Sequence, residues 1–303
     1  MFNKANPKIL GIVFALLLAL VAASYMGGED GQRTFKGQLV AFKRKEINRV
    51  QIEPRKASSF ELVKQDTTWR LETKDGTYRA GQQQTGRMLE RMTNLEVSQV
   101  VANSPDAWEN YKVSDTLATR VRITAGEQST RLMIGKLNFS PRSRSAVTYV
   151  RQAGDDRVYG VRGMLKRSLA TRANTFRSKM LVDLTPSLVE KMHFTLPGDS
   201  SFTLKREGTQ WKVSGQQADS SSVAGYLSQI SRLKGSSFAP SVRELDDVSH
   251  KLIITGEKEV ELSAQKYGGR WIVHSSLLEN SFFDDEKGDL HDKLFVGKDH
   301  FIK

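Results

Sequence analysis

The chain predicts an α+β fold in which one module is built twice behind an N-terminal transmembrane helix. Three observations carry this. An uncharged apolar run opens the chain. The order Phe60-Glu61-Leu62 then Trp69-Arg70-Leu71 returns as Phe202-Thr203-Leu204 then Trp211-Lys212-Val213, with nine residues from Phe to Trp both times. Each copy then continues into an amphipathic helical stripe and further alternating strands. A long-period internal repeat means that one supersecondary unit is used as a scaffold more than once.

The apolar run is Ile9 to Met26, preceded by Lys4 and Lys8. Eighteen residues at about 1.5 Å each reach about 27 Å, close to the roughly 30 Å of a hydrocarbon core. The leading lysines keep the N-terminus cytoplasmic and send the rest across. A cleaved signal peptide competes, since Ala22-Ala23-Ser24 offers small residues for cleavage. The run exceeds a usual signal core, so an uncleaved single-pass anchor over residues 1–26 is the expectation. The bulk then lies in the bacterial periplasm. Residues 27–34, rich in glycine and polar residues, read as a linker.

The first module, 35–182, opens with strands at Val50-Gln51-Ile52, Phe60-Glu61-Leu62 and Trp69-Arg70-Leu71. Period-two alternation places one face of each against a core. Met88, Leu89, Met92 and Leu95 then form one apolar stripe of a helix. Pro105 to Tyr111 reads as a short helical turn. Strands follow at Val121–Ile123, Leu132–Gly135 and Val147–Arg151, the last turning at Gly154 into Val158–Val161. A basic helix is expected from Met164 to about Arg172. The second module, 183–303, retraces the path. Met192-His193-Phe194 matches Val50-Gln51-Ile52, Tyr226, Leu227, Ile230 and Leu233 replay the stripe, and Ile254 to Glu257 echoes Ile123 to Glu127. Each module therefore reads as an antiparallel sheet with a helix packed on it, and the paired tryptophans as core anchors. Thr185 and Pro186 suggest a helix start.

There are no cysteines among 303 residues, which excludes disulfides, thiolate metal sites, cysteine nucleophiles and a cysteine-linked lipid anchor. The net charge of +12 favours anionic partners. Residues 142–179 hold ten basic side chains against Asp155 and Asp156, two thirds of that net charge. Arg142, Arg144, Arg162, Lys166, Arg167 and Arg172 are the candidate contacts to an anionic partner. A solvated basic surface is the plainer reading of the same residues. No catalytic, cofactor-binding or metal-binding residue is nominated. The five histidines lack zinc spacing, and no phosphate-binding loop or nucleophile elbow occurs. Asp284, Asp285, Glu286, Asp289, His291 and Asp292 could offer oxygen ligands to calcium but lack the spacing of a calcium loop.

The order of a membrane segment, Phe-x-Leu then Trp-x-Leu, a helix, Leu132-Met133-Ile134-Gly135-Lys136, Tyr149-Val150-Arg151, Val158-Tyr159 and Phe176 to Leu181 resembles domain-of-unknown-function family 4340. The similarity runs over most of residues 35–275, more loosely in the second module. Members are typically encoded beside ABC-2 transporters of the gliding-motility kind. The resemblance therefore implies a non-enzymatic accessory or scaffolding subunit of an envelope complex, and supplies no catalytic residue. Members commonly have Arg-Asp-Lys where this chain has Arg177-Ser178-Lys179, so a role tied to that acidic residue does not carry over. A module binding an acidic glycan or lipid, with Trp108 or Tyr149 as stacking platform, is the alternative. An envelope hydrolase is a third class, needing a carboxylate pair or a Ser–His contact. Export makes nucleic acid a poor partner.

Overall fold

The computed structural model describes residues 38–302, with 143 and 170 excepted. The anchor expected over 1–26 and the linker over 27–34 lie outside the described residues. Among the described residues no helix is long and apolar enough to cross a membrane.

The described residues are mostly β. Among them, eighteen strands form two nine-stranded antiparallel sheets, and the helices are few and short. This corrects the α+β expectation toward β. Strands β4 (Gly76–Arg79), β5 (Val97–Ala102), β13 (Gln216–Gln217), β14 (Ser237–Phe238) and β18 (Phe282–Asp285) extend each sheet beyond the expected core. Most are short edge or terminal strands with few alternating positions, so the period-two signal is too brief to read there.

The first sheet has the order β4-β3-β2-β1-β6-β7-β8-β9-β5 and the second β13-β12-β11-β10-β15-β16-β17-β18-β14. Subtracting nine from each label of the second gives the first, so the repeat is one of topology. Registers repeat too. In the first sheet β1 (Ile47–Glu53) sets Val50 opposite Leu62 and Ile52 opposite Phe60 of β2 (Phe60–Gln65). In the second, β10 (Lys191–Thr195) sets Met192 opposite Leu204 and Phe194 opposite Phe202 of β11 (Phe202–Glu207). The turn after each Phe strand takes a positive φ six residues on, at Asp66 and at Gly208.

The helix that follows each edge strand occupies the same place. The first, α1 (Gln82–Thr93), buries Met88, Leu89 and Met92. The amide of Gln82 donates to the carbonyl of Ala80 and so closes its entry. Two shorter helices, α2 (Trp108–Tyr111) and α3 (Leu165–Leu169), come next. The helix of the second copy, α4 (Ser220–Ile230), starts at the N-cap Asp219, whose carboxylate accepts from the Ser221 backbone N–H and from the hydroxyls of Ser221 and Ser222. It buries Val223, Tyr226, Leu227 and Ile230. A fifth helix, α5 (Asp289–Leu294), lies near the end.

The expected basic helix to Arg172 stops at Leu169, and a 3₁₀ turn at Ala173–Thr175 follows. Thr185 precedes only a 3₁₀ turn and makes no side-chain cap.

The repeat also runs further than the Phe, Trp and helix-stripe spacing predicts. Leu165, Leu169 and Phe176 have the spacing of Leu290, Leu294 and Phe301, and all six are buried. The Gly81 N–H donates to the Phe176 carbonyl at 2.7 Å, and the Asp219 N–H to that of Phe301 at 2.8 Å. Phe60 meets Phe176 as Phe202 meets Phe301. Trp69 and Trp211 are each 8% exposed, so both tryptophans are core anchors.

By packing, the described residues divide into two compact units. The smaller comprises 38–41, Met92–Arg120 and Thr130–Leu165; the larger comprises Phe42–Arg91, Val121–Ser129 and 166–302. The smaller unit has a core of Val113, Ala118, Met133 and Val158, against which Trp108, Tyr111 and Tyr149 pack. The larger contains the whole second sheet, whose core runs through Phe194, Phe202, Trp211, Tyr226, Phe283 and Phe301.

Candidate functional site

In the smaller unit the longest hairpin pairs β7 (Gln128–Ser140) with β8 (Ser145–Gln152). Arg142 and Arg144 sit in its turn, both exposed, with Arg144 at a φ of 50°. Arg162 lies at the end of β9 (Val158–Arg162), opposite Val147 of β8, and is also exposed. These three candidates therefore share one end of the sheet. Lys166 and Arg167 fall in α3 and Arg172 just before the following 3₁₀ turn, all within the larger unit.

Not every arginine of this stretch faces solvent. Arg151 is 4% exposed. Its Nε donates to the Val113 carbonyl at 3.1 Å, its Nη2 to the Asp115 carboxylate at 3.1 Å, and its guanidinium lies 3.7 Å from the centre of the Trp108 ring. The Trp108 indole N–H donates to the Asp156 carbonyl at 2.9 Å. One face of this tryptophan is thus covered by Arg151. Tyr149 packs edge-on against Tyr111, with ring centres 4.6 Å apart.

The β8–β9 turn is locked by charge. The Arg157 guanidinium donates to both carboxylate oxygens of Asp155, and the Tyr159 hydroxyl donates to the same group. Burial alone would raise the Asp155 carboxyl. The Arg157 and Tyr159 hydrogen bonds outweigh it and hold the group down at about 2. Burial and the Asp155 charge together push the Tyr159 hydroxyl upward.

In the larger unit a cleft of about 500 Å³ is lined by Lys74, Arg172, Arg177 and Arg243, with Asp75 and Tyr78. Arg177 is fixed there: its guanidinium lies 3.8 Å from the Tyr78 ring centre and 4.2 Å from that of Phe238. It also donates to the Ser281 hydroxyl at 2.8 Å and the Asn280 carbonyl at 2.7 Å. Burial draws this guanidinium below its ordinary value; the nearby Tyr78 opposes that and Arg243 adds to it.

The acidic run near the C-terminus serves the fold. Asp285 Oδ2 accepts from the backbone N–H groups of Leu290 and His291, holding the start of α5. Asp284 pairs with Arg270 at 3.0 Å. Among the described residues no group of three histidine or carboxylate side chains is placed to hold a metal ion. The His291 ring instead stacks on Trp271 at 3.7 Å.

Sequence reasoning missed the apolar part of the hairpin. Leu137 and Phe139 are 41% and 48% exposed. The signal is alternation that continues past Gly135 at Leu137 and Phe139, beyond the strand expected over Leu132–Gly135. Lys74 and Arg243 of the cleft were missed because they lie far from the basic stretch in sequence.

A family model described as "Domain of unknown function (DUF4340)" matches residues 69–251. No curated protein and no solved structure matches the chain.

Proposed function

The chain belongs to the domain-of-unknown-function family DUF4340, and from that membership we propose a non-enzymatic accessory or scaffolding subunit of a bacterial envelope complex. It acts through protein–protein contacts of its periplasmic part, with an ABC-2 transporter of the gliding-motility kind as partner. The expected N-terminal anchor raises its local concentration beside that partner.

One observation carries the reading: a single nine-strand topology is used twice, and the two copies differ most plainly in one projecting element. Strand β7 has 13 residues where its counterpart β16 (Val260–Tyr267) has 8. A shared frame with a copy-specific elaboration suits a module that meets two surfaces, the elaborated hairpin facing the membrane and the frame facing the protein partner. Edge strands supply the second kind of surface, since β5 and β13 each pair on one side only.

The test is a mild-detergent purification from native membranes followed by mass spectrometry. Permease or ATPase subunits of one transporter, enriched over a control membrane protein, are expected. A protein that emerges alone contradicts the reading.

The four-cation cleft favours a second reading, a periplasmic module for an acidic glycan or lipid. Arg177 is pre-ordered there by two aromatic faces, which lowers the cost of ordering it on binding an anion. Co-purified glycan or lipid without transporter subunits would put this reading first.

A further inference from the structure

We propose that the tip of the β7–β8 hairpin enters the headgroup region of an anionic lipid bilayer. The inference rests on the membrane placement in the reading above and needs no protein partner.

Register shows why the tip is apolar. Ile134 faces Val150, Leu137 faces Thr148 and Phe139 faces Ala146, with an extra residue between the first two pairs. Directly opposed residues share a face. Leu137 and Phe139 thus continue the face that carries buried Ile134, Val150 and Thr148, but beyond the covered zone. Met164, two residues past Arg162, lies at the same end of the sheet: the Gly163 N–H donates to the Ala146 carbonyl at 2.7 Å. Leu137, Phe139 and Met164 are three of the six large hydrophobic side chains exposed among the described residues. Leu137 and Phe139 share one face, and Met164 lies at the same end of the sheet, so exposed apolar side chains concentrate at this end.

The charge around the patch selects its occupant. From Gln128 to Gln152 the chain carries Arg131, Lys136, Arg142, Arg144 and Arg151 and no acidic residue. Arg151 is consumed by Asp115 and Trp108, whereas Lys136, Arg142 and Arg144 are exposed. Four successive residues, Lys136 to Asn138 and Phe139, are exposed on both faces of the ribbon. A flat protein surface covers one face of such a ribbon, whereas a lipid interface surrounds it. Leu137 and Phe139 can sink to the acyl boundary while the long arginine stems hold their guanidinium groups at phosphate level.

The chain has no cysteine, so a single Ser145→Cys variant of the full chain takes an environment-sensitive fluorophore at the tip alone. A Ser200→Cys variant, labelled in an exposed loop of the second module, is the reference. Both are mixed with phosphatidylglycerol-containing or pure phosphatidylcholine vesicles, without other protein. The tip label is expected to shift to the blue and resist iodide quenching on anionic vesicles only, with the Ser200 label unchanged. Leu137→Ser/Phe139→Ser and Arg142→Glu/Arg144→Asp are each expected to weaken this protection on the order of tenfold. Aspartate suits the left-handed backbone at residue 144, and circular dichroism verifies that both variants fold. Equal quenching on the two lipids overturns the proposal. So does protection that appears only when a purified partner protein is added, which would leave the accessory-subunit reading standing.

Discussion

Trp69 and Trp211 hold equivalent places, each nine residues after a buried Phe and each 8% exposed. Replacing either with alanine removes a large aromatic from a packed interior and should lower stability by about 3–5 kcal/mol, read as a fall in denaturation midpoint. A ligand-facing tryptophan would leave that midpoint nearly unchanged. Acid stability is set by other residues. His274 is drawn below the ordinary histidine value of 6.5 by burial, which its backbone hydrogen bonds only partly offset. The unfolded chain therefore takes up that proton first, and stability should begin to fall as pH drops below about 6.5. Asp155 acts later. Its folded value of about 2 lies under the ordinary 3.8, so its contribution is complete above 3.8 and lost as pH falls through 2. Thermal melts against pH should show that Asp155→Asn removes the lower-pH loss and leaves the loss near 6.5 intact. An unchanged acid limb would refute the Asp155–Arg157–Tyr159 lock.

At the scale of elements, two glycines should respond to alanine with opposite signs. A Cβ at Gly135, beside the irregularity in β7, would stand 2.2 Å from the Tyr111 carbonyl oxygen and 2.6 Å from Val113 Cγ1. The backbone must move, and a loss of about 1–3 kcal/mol is expected. Gly225 lies within α4 with nothing within 4 Å of its Cβ position, so alanine there should add roughly 0.5–1 kcal/mol. Chemical denaturation of the two variants checks both signs. The central strands were legible because Phe60-Glu61-Leu62 or Trp211-Lys212-Val213 offer clean alternation over a half-buried face. The two-residue strands β13 and β14 carry no such period, and tertiary pairing alone defines them. The hairpin tip was half legible: Arg142 and Arg144 stood out by charge. Leu137 and Phe139 did not stand out, because sequence does not tell where a sheet face ceases to be covered.

On the scale of the whole molecule, the duplication was legible from Phe, Trp and helix-stripe spacing, and the matching strand orders extend it to complete sheets. Its last part was hidden by charge. Leu165, Leu169 and Phe176 stand among basic residues, while Leu290, Leu294 and Phe301 stand among mixed aspartates, lysines and histidines. Only the apolar positions answer to packing, so solvent-facing charge disguised the match. Charge also suggested one basic region where the structure has a hairpin tip in one unit and a cleft in the other. The accessory-subunit account is tested most directly by photo-crosslinking in living cells. A photoreactive residue at Gln99 in β5 or Gln217 in β13, both exposed on single-sided strands, samples the sheet edges, and one at Arg142 samples the hairpin tip. The account predicts a discrete adduct to a transporter subunit from at least one edge position, and lipid rather than protein adducts from Arg142. Edge positions that yield no membrane-protein adduct, in cells where the protein is folded and present at its native level, would contradict it.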